Sequence, residues 1–222
     1  MPSNMRSGLL LLAGLAGLAG LGAPSIAWAA PADGPWFVHV GGARMSTEEA
    51  VRATILDSPL TGADLEIAPR YAAEVEVGRY IVPTLAFSVS AGTPVRQSIV
   101  AAGSIRPLGT LGRVTCGPAA FTVHWHPLPQ SRIRPYVGAG VAYLHVFDAD
   151  AVALAGFRLR DDLGPVVQGG VVIMAGRRFG VYADAKRGWL TSSASGSLGG
   201  LPVNGRVRLD PLVLSGGAAF RF

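Results

Sequence analysis

His124 and His126 stand two residues apart in "FTVHWHP", which puts both imidazoles on one face of an extended chain. Zinc sites use such an H-x-H spacing, but a tetrahedral site takes four ligands and the sequence supplies two. The other histidines, His39 and His145, cannot be placed beside the pair from sequence. A second set is charged: Glu74 and Glu76 in "YAAEVEVGRY", Asp184 and Lys186 in "FGVYADAKRGWL", and Asp161-Asp162 in "RDDLGP". If the first four face a low-dielectric interior they need partners, because a buried unpaired charge is costly. They then form a salt-bridge network, or also select what passes, as charge rings do in pores. Asp161-Asp162 reads as a solvated loop edge. No P-loop and no G-x-S-x-G occurs. The expectation is therefore no catalytic, cofactor-binding or metal-binding residue, and no cofactor.

What must position these groups is a set of strands. In "YAAEVEVGRY", Tyr71, Ala73, Val75 and Val77 share one face, and Ala72, Glu74 and Glu76 the other. "TLAFSVSAG" sets Leu85, Phe87, Val89 and Ala91 against Ala86, Ser88 and Ser90, and "AAFTVHWH" sets Phe121, Val123 and Trp125 against Thr122, His124 and His126. Phe179, Val181, Ala183 and Ala185 alternate with Tyr182, Asp184 and Lys186. Period-two patterning of this kind marks strands whose two faces meet different solvents. "GPVVQGGVVIMA" is a more continuous apolar strand, and parity in "RPYVGAG" stays open, because Pro135 can accompany a bulge. About eight strands result, an even number that allows a closed up-and-down barrel.

The connections sort by length. Those around residues 80–84, 127–132 and 176–178 are short, and those around 44–66, 93–110, 148–160 and 191–206 are long. Strict alternation of this kind is a property of transmembrane barrels, with short periplasmic turns and longer external loops. The fold class predicted is all-β, an eight-stranded antiparallel up-and-down transmembrane β-barrel. Glu74, Glu76, His124, His126, Tyr182, Asp184 and Lys186 are the lumen-lining candidates. Trp36, Tyr80, Trp125, Trp189, Phe220 and Phe222 are candidates for an aromatic girdle at the membrane interfaces. Arg187 shares the outward parity but falls at the outer rim, where a charge costs only about 0–1 kcal/mol. In the first long connection, Ser46-Thr47-Glu48-Glu49 satisfies the S-x-x-E capping box. It predicts a short helix through about Leu56, either an ordinary surface loop or a lid over the pore mouth.

Bulk properties agree. Residues 1–29 read as a cleaved signal peptide: Arg6 supplies the positive n-region, "GLLLLAGLAGLAGLG" the apolar core and Ala27-Trp28-Ala29 the cleavage site. Residues 30–222 form the barrel. The single cysteine, Cys116, excludes an internal disulfide, and no cysteine follows the signal to carry a lipid. Half the chain is hydrophobic and only 15% is charged, yet the mature part holds no apolar run long enough for a spanning helix. The net charge of +5 is spread singly, with acids interleaved, so nucleic acid is not an expected partner.

"RPYVGAGVAYLHVF" at 134–147, Leu163-Gly164-Pro165, Asp210-Pro211, the closing "AAFRF" and "GPAAFTVHWHP" together resemble the OmpW family of small outer-membrane proteins. The resemblance covers essentially the whole mature chain, and departs from the family in the first long connection and in His-Trp-His. It implies an outer-membrane location and a narrow, largely apolar lumen that passes small hydrophobic molecules passively. It also implies that Phe222 is read by the barrel assembly machinery. Expected partners are thus outer-membrane lipid, that machinery and small hydrophobic solutes. Two alternatives remain: a closed structural or adhesive barrel acting through its external loops, and a soluble lipocalin-like binder, which needs the opposite polarity. Some outer-membrane barrels are enzymes with Ser and His on the outer wall; here Ser215 has no nearby His in sequence.

Overall fold

A computed structural model describes residues 34–55, 58–59, 61–153 and 155–222. The signal peptide with its cleavage site, and Leu56, lie outside the described residues. Each alternating segment forms a strand. In chain order these are β1 (Trp36–Ile55), β2 (Ser58–Pro59), β3 (Ala63–Glu66), β4 (Arg70–Val82), β5 (Leu85–Gly92), β6 (Val95–Gly103) and β7 (Thr110–Trp125). They continue as β8 (Ile133–Ala151), β9 (Ala155–Leu159), β10 (Asp162–Met174), β11 (Phe179–Gly188), β12 (Leu190–Leu198) and β13 (Leu201–Arg221). All pairings are antiparallel. The order β1-β4-β5-β7-β8-β10-β11-β13 closes on itself through β1 and β13, from Phe37 opposite Arg221 to Ile55 opposite Val203. Closure leaves this ring no free edge, so every ring strand finds a backbone partner on both sides over its inner portion.

The sequence expectation of about eight strands gives the ring but not the whole sheet, which has 13 strands among the described residues. The difference lies in the long connections. They are not loops: β3 pairs with β6, β6 with β7, and β12 with both β13 and β9, so the wall continues upward beyond the ring. Breaks separate the two tiers. Thr93-Pro94 parts β5 from β6, because proline has no N–H to give the ladder. The expected helix from Ser46 is likewise absent. Residues 46–55 run on as strand, each opposite a residue of β13 between Val203 and Leu212. A helix there would strip that length of β13 of its partner on one side, and paired backbone outweighs a local capping signal.

Faces follow parity. Outward lie Val40, Phe121, Val123, Trp125, Val137, Val167, Val181 and Leu214, all substantially exposed, which makes an apolar belt round the ring. Phe179, Phe220 and Phe222 continue it at the short-turn end, the first two edge to face with centroids 5.3 Å apart. Trp36 lies at that end, with the Arg79 guanidinium 5.5 Å from its ring. Trp189 is exposed at the opposite rim, where Arg187 Nη2 meets Glu48 Oε2 at 2.6 Å. Tyr80 does not belong to this belt. Outward residues of β4 are odd-numbered, the register shift comes only between Tyr80 and Val82, and Tyr80 is buried inside. There its ring packs on Phe37 (5.5 Å) and His126 (4.9 Å), under the guanidinium of Arg221. Gly78 makes the room: a Cβ there would fall 2.1 Å from the Phe37 ring. Pro135 carries no bulge, so Arg134 and Tyr136 point inward and Val137 outward.

Candidate functional site

The interior divides into two parts. At the short-turn end it is filled. Tyr136 stacks on His124 (5.0 Å) and His126 (5.2 Å), and His39 stacks on Tyr182 (4.6 Å). β1, β4, β7, β8 and β11 each contribute a ring at this level, because each places an aromatic or histidine at an inward position.

Immediately above lies a polar floor built from one or two inward residues of each neighbouring strand. Lys186 Nζ donates to Glu74 Oε1 (2.6 Å) and Asp184 Oδ1 (2.9 Å) and stands 3.6 Å from Glu76 Oε2. Asp184 Oδ2 accepts from the Tyr136 hydroxyl (2.6 Å) and from Gln168 Nε2 (2.9 Å). Glu76 Oε1 accepts from Ser88 Oγ at 2.7 Å. Gln168 Oε1 accepts from Thr122 Oγ1 (2.9 Å) and faces His124 Nε2 (3.0 Å). His39 Nδ1 is 3.5 Å from Glu76 Oε2, near enough to feel its charge without the alignment of a hydrogen bond. Glu76, Ser88, His124 and His126 are at most 1% exposed, so water does not screen this network. Its charges hold because the ionised atoms, Glu74 Oε2 excepted, have partners, which is the condition for burying ions at all. No group of three or more metal-ligating side chains with a suitable arrangement occurs among the described residues.

Above the floor the interior turns apolar. A cavity of about 100 Å³ is lined by Ala43, Met45, Ile67, Val95, Ile99, Val114, Cys116, Leu190 and Leu209, among others. Glu74, Lys186, Ser90 and Gln97 are among the polar groups that reach it. On the outside of the wall lies a groove of about 150 Å³ that includes Ala73, Pro94, Gly117, His145 and Phe147. Cavity and groove share Glu74, Ala91, Gly92, Pro118, Ala119 and Tyr143, so one thickness of wall separates them. The ladder is interrupted here. β4 pairs with β5 only from Glu74 opposite Gly92, and β6 pairs with β3 and β7 instead. Arg70, Tyr71 and Ala72 therefore have no ladder partner on that side, and the seam is held by Thr93 N–H to Ala73 O (2.8 Å) and Ala73 N–H to Thr93 Oγ1 (3.1 Å).

The sequence model of the OmpW family matches residues 32–222. The chain belongs to the OmpW family. Among its relatives, outer membrane protein AlkL of Ectopseudomonas oleovorans is 29% identical over 163 residues, 73% of this chain and 71% of the relative. The dibenzothiophene metabolism operon protein PahQ of Pseudomonas aeruginosa is 26% identical over 183 residues, 82% of this chain and 86% of that one. The crystal structure of OprG from Pseudomonas aeruginosa matches with a TM-score of 0.79 at 18% identity, covering 84% of this chain and 95% of that one, which speaks to fold. The protein is an outer-membrane β-barrel, as the resemblance implied.

Within this OmpW barrel, Glu74, Glu76, His124, His126, Tyr182, Asp184 and Lys186 all lie inside, drawn together at and just below the floor. The resemblance implied a largely apolar lumen; the described interior is filled and polar at the short-turn end and mostly apolar above the floor. Sequence reasoning left out His39, Tyr136 and Gln168 as members. Gln168 carried a signal, being the lone polar side chain of "GPVVQGGVVIMA". Asp161 is not merely solvated: Oδ1 accepts from Val146 N–H (2.8 Å), and Oδ2 accepts from the Tyr143 hydroxyl (2.6 Å) and faces His145 Nδ1 (2.8 Å). Asp162 accepts from Thr191 N–H.

Proposed function

We propose that this protein carries small hydrophobic molecules across the outer face of the outer membrane, its eight ring strands being the ones that span the lipid. Solutes enter the apolar upper interior, are stopped by the polar floor and leave sideways into lipid across the seam between β4 and β6. The observation that carries this reading is the pairing of an apolar cavity with a sealed, charged floor. An apolar molecule gains about 25 cal/mol for each Å² it hides in the cavity, but would break matched buried ion pairs to go further down. The groove outside Gly92 and Pro118 gives it an apolar surface on the far side of the wall. A relative named for a dibenzothiophene metabolism operon fits an apolar cargo. Passage is passive, with no cofactor and no catalytic step. Lipid contacts the belt, and the outward-facing Phe222 is the handle for the assembly machinery.

A closed barrel that works through its upper tier is the second reading, favoured by the same sealed floor. Cells displaying the protein should accumulate a labelled apolar solute faster than cells without it, while planar bilayers containing it show no ion conductance. Gly92→Val separates the two readings. A Cβ at Gly92 would lie 3.3 Å from Pro118 Cγ, so a branched side chain closes the seam. Accumulation should fall several-fold in that variant, whereas equal accumulation with and without the protein would leave only the closed barrel.

A further inference from the structure

Three imidazole nitrogens around the floor lack a hydrogen-bond partner, His39 Nδ1, His124 Nδ1 and His126 Nε2, but none of these residues lines the cavity; Glu74 does. Glu74 is 6% exposed, and Lys186 engages its Oε1. Its second oxygen, Oε2, is buried with no hydrogen-bond partner. Glu74 is also the one carboxylate that lines both the lumen cavity and the outer groove. Glu76 and Asp184 spend their oxygens on Ser88, Gln168, Tyr136 and Lys186, so Glu74 Oε2 is the acceptor left over on the route itself. A carboxylate oxygen accepts and does not donate, so its complement is a ligand O–H or N–H. Of these, an ammonium would have to shed its hydration in a mostly apolar cavity, whereas a hydroxyl sheds far less.

We propose that Glu74 selects the cargo, favouring small apolar molecules that carry a single hydroxyl, alkanols or phenols, over hydrocarbons and ethers of the same size. This rests on the proposed passage of hydrophobic molecules and narrows it. The apolar body fills the space bounded by Ile99, Val114 and Leu190 while the hydroxyl donates to Glu74 Oε2. The cavity, about 100 Å³, is smaller than the engineered apolar cavity of about 150 Å³ that takes benzene, but it is partly open, so the ligand's chain extends past its mouth.

The test uses the protein in lipid nanodiscs with its isoleucine, leucine and valine methyls labelled, titrated with 1-hexanol and with its isomer methyl pentyl ether. Shifts of Ile99, Val114 and Leu190 methyls report occupancy, referred to free aqueous ligand. A hydrogen bond to a charged acceptor predicts about tenfold tighter binding of hexanol than of the ether. Equal binding of both isomers would overturn the selection and leave the hydrophobic passage standing. No shift with either would overturn both. Glu74→Gln gives a second arm. Its carbonyl is held by Lys186 and its NH₂ then faces the cavity, so the preference should pass from hexanol to 2-hexanone. Should that variant fold poorly, the isomer pair on the unaltered protein decides the matter, and a folded variant that still prefers hexanol counts against Glu74.

Discussion

Lys186 is the cation that makes three buried carboxylates tolerable. Replacing it by methionine keeps most of the volume and removes the charge, leaving Glu74, Glu76 and Asp184 facing one another at low dielectric. Breaking a buried ion pair from one side costs about 3–5 kcal/mol. Lys186→Met should lose about that much in urea unfolding followed in lipid or detergent, and an unchanged midpoint would show that the network holds without it. The sequence made this residue legible. Lys186 and Asp184 share the parity of Tyr182, and Glu74 and Glu76 share theirs, so the inward set could be read off alternation alone. What alternation does not give is level: which inward residues of different strands meet depends on register, which long-range pairing fixes. Hence His39 could not be joined to His124, and Tyr136 was hidden behind the open parity at Pro135. Tyr80 failed differently. Its type suggested the interface while its parity said interior, and parity was the better guide.

At the level of the element, the hairpin pattern was legible and the upper tier was not. Short turns announce themselves by length, but a long connection reads as loop unless its own strands alternate cleanly, and "STEEAVRATI" does not. The upper tier is pinned where β9 gives way to β10. Slight burial raises the Asp161 carboxyl, but bonds from Tyr143, the Val146 amide and His145 outweigh it and hold the group below the usual carboxylate range. A depressed folded value means the contact is complete above the ordinary aspartate value of about 3.9 and is lost as pH falls through the lower folded one. The Val146 amide resonance should therefore stay fixed from neutral pH down to about 4 and move only below it. A midpoint above the ordinary value would contradict the observed bonds, and Asp161→Asn should remove the transition.

For the whole molecule the governing fact is sidedness. The ring turns Phe121, Val123, Trp125, Val137 and Val181 outward and keeps its ions within, the reverse of a soluble barrel. The protein should stay monodisperse only with detergent or lipid and aggregate on their removal, as light scattering after chromatography will show. Monodispersity in plain buffer would overturn the assignment. The seam between β1 and β13 has a consequence for how such a molecule is made. Phe37 meets Arg221 across nearly the full described chain, so the cylinder is completed by its most distant contact. Loop-closure entropy and high contact order make such a junction slow to form. Until it forms, two unpaired strand margins stay open, so a nascent chain needs shelter from its neighbours until the circle shuts.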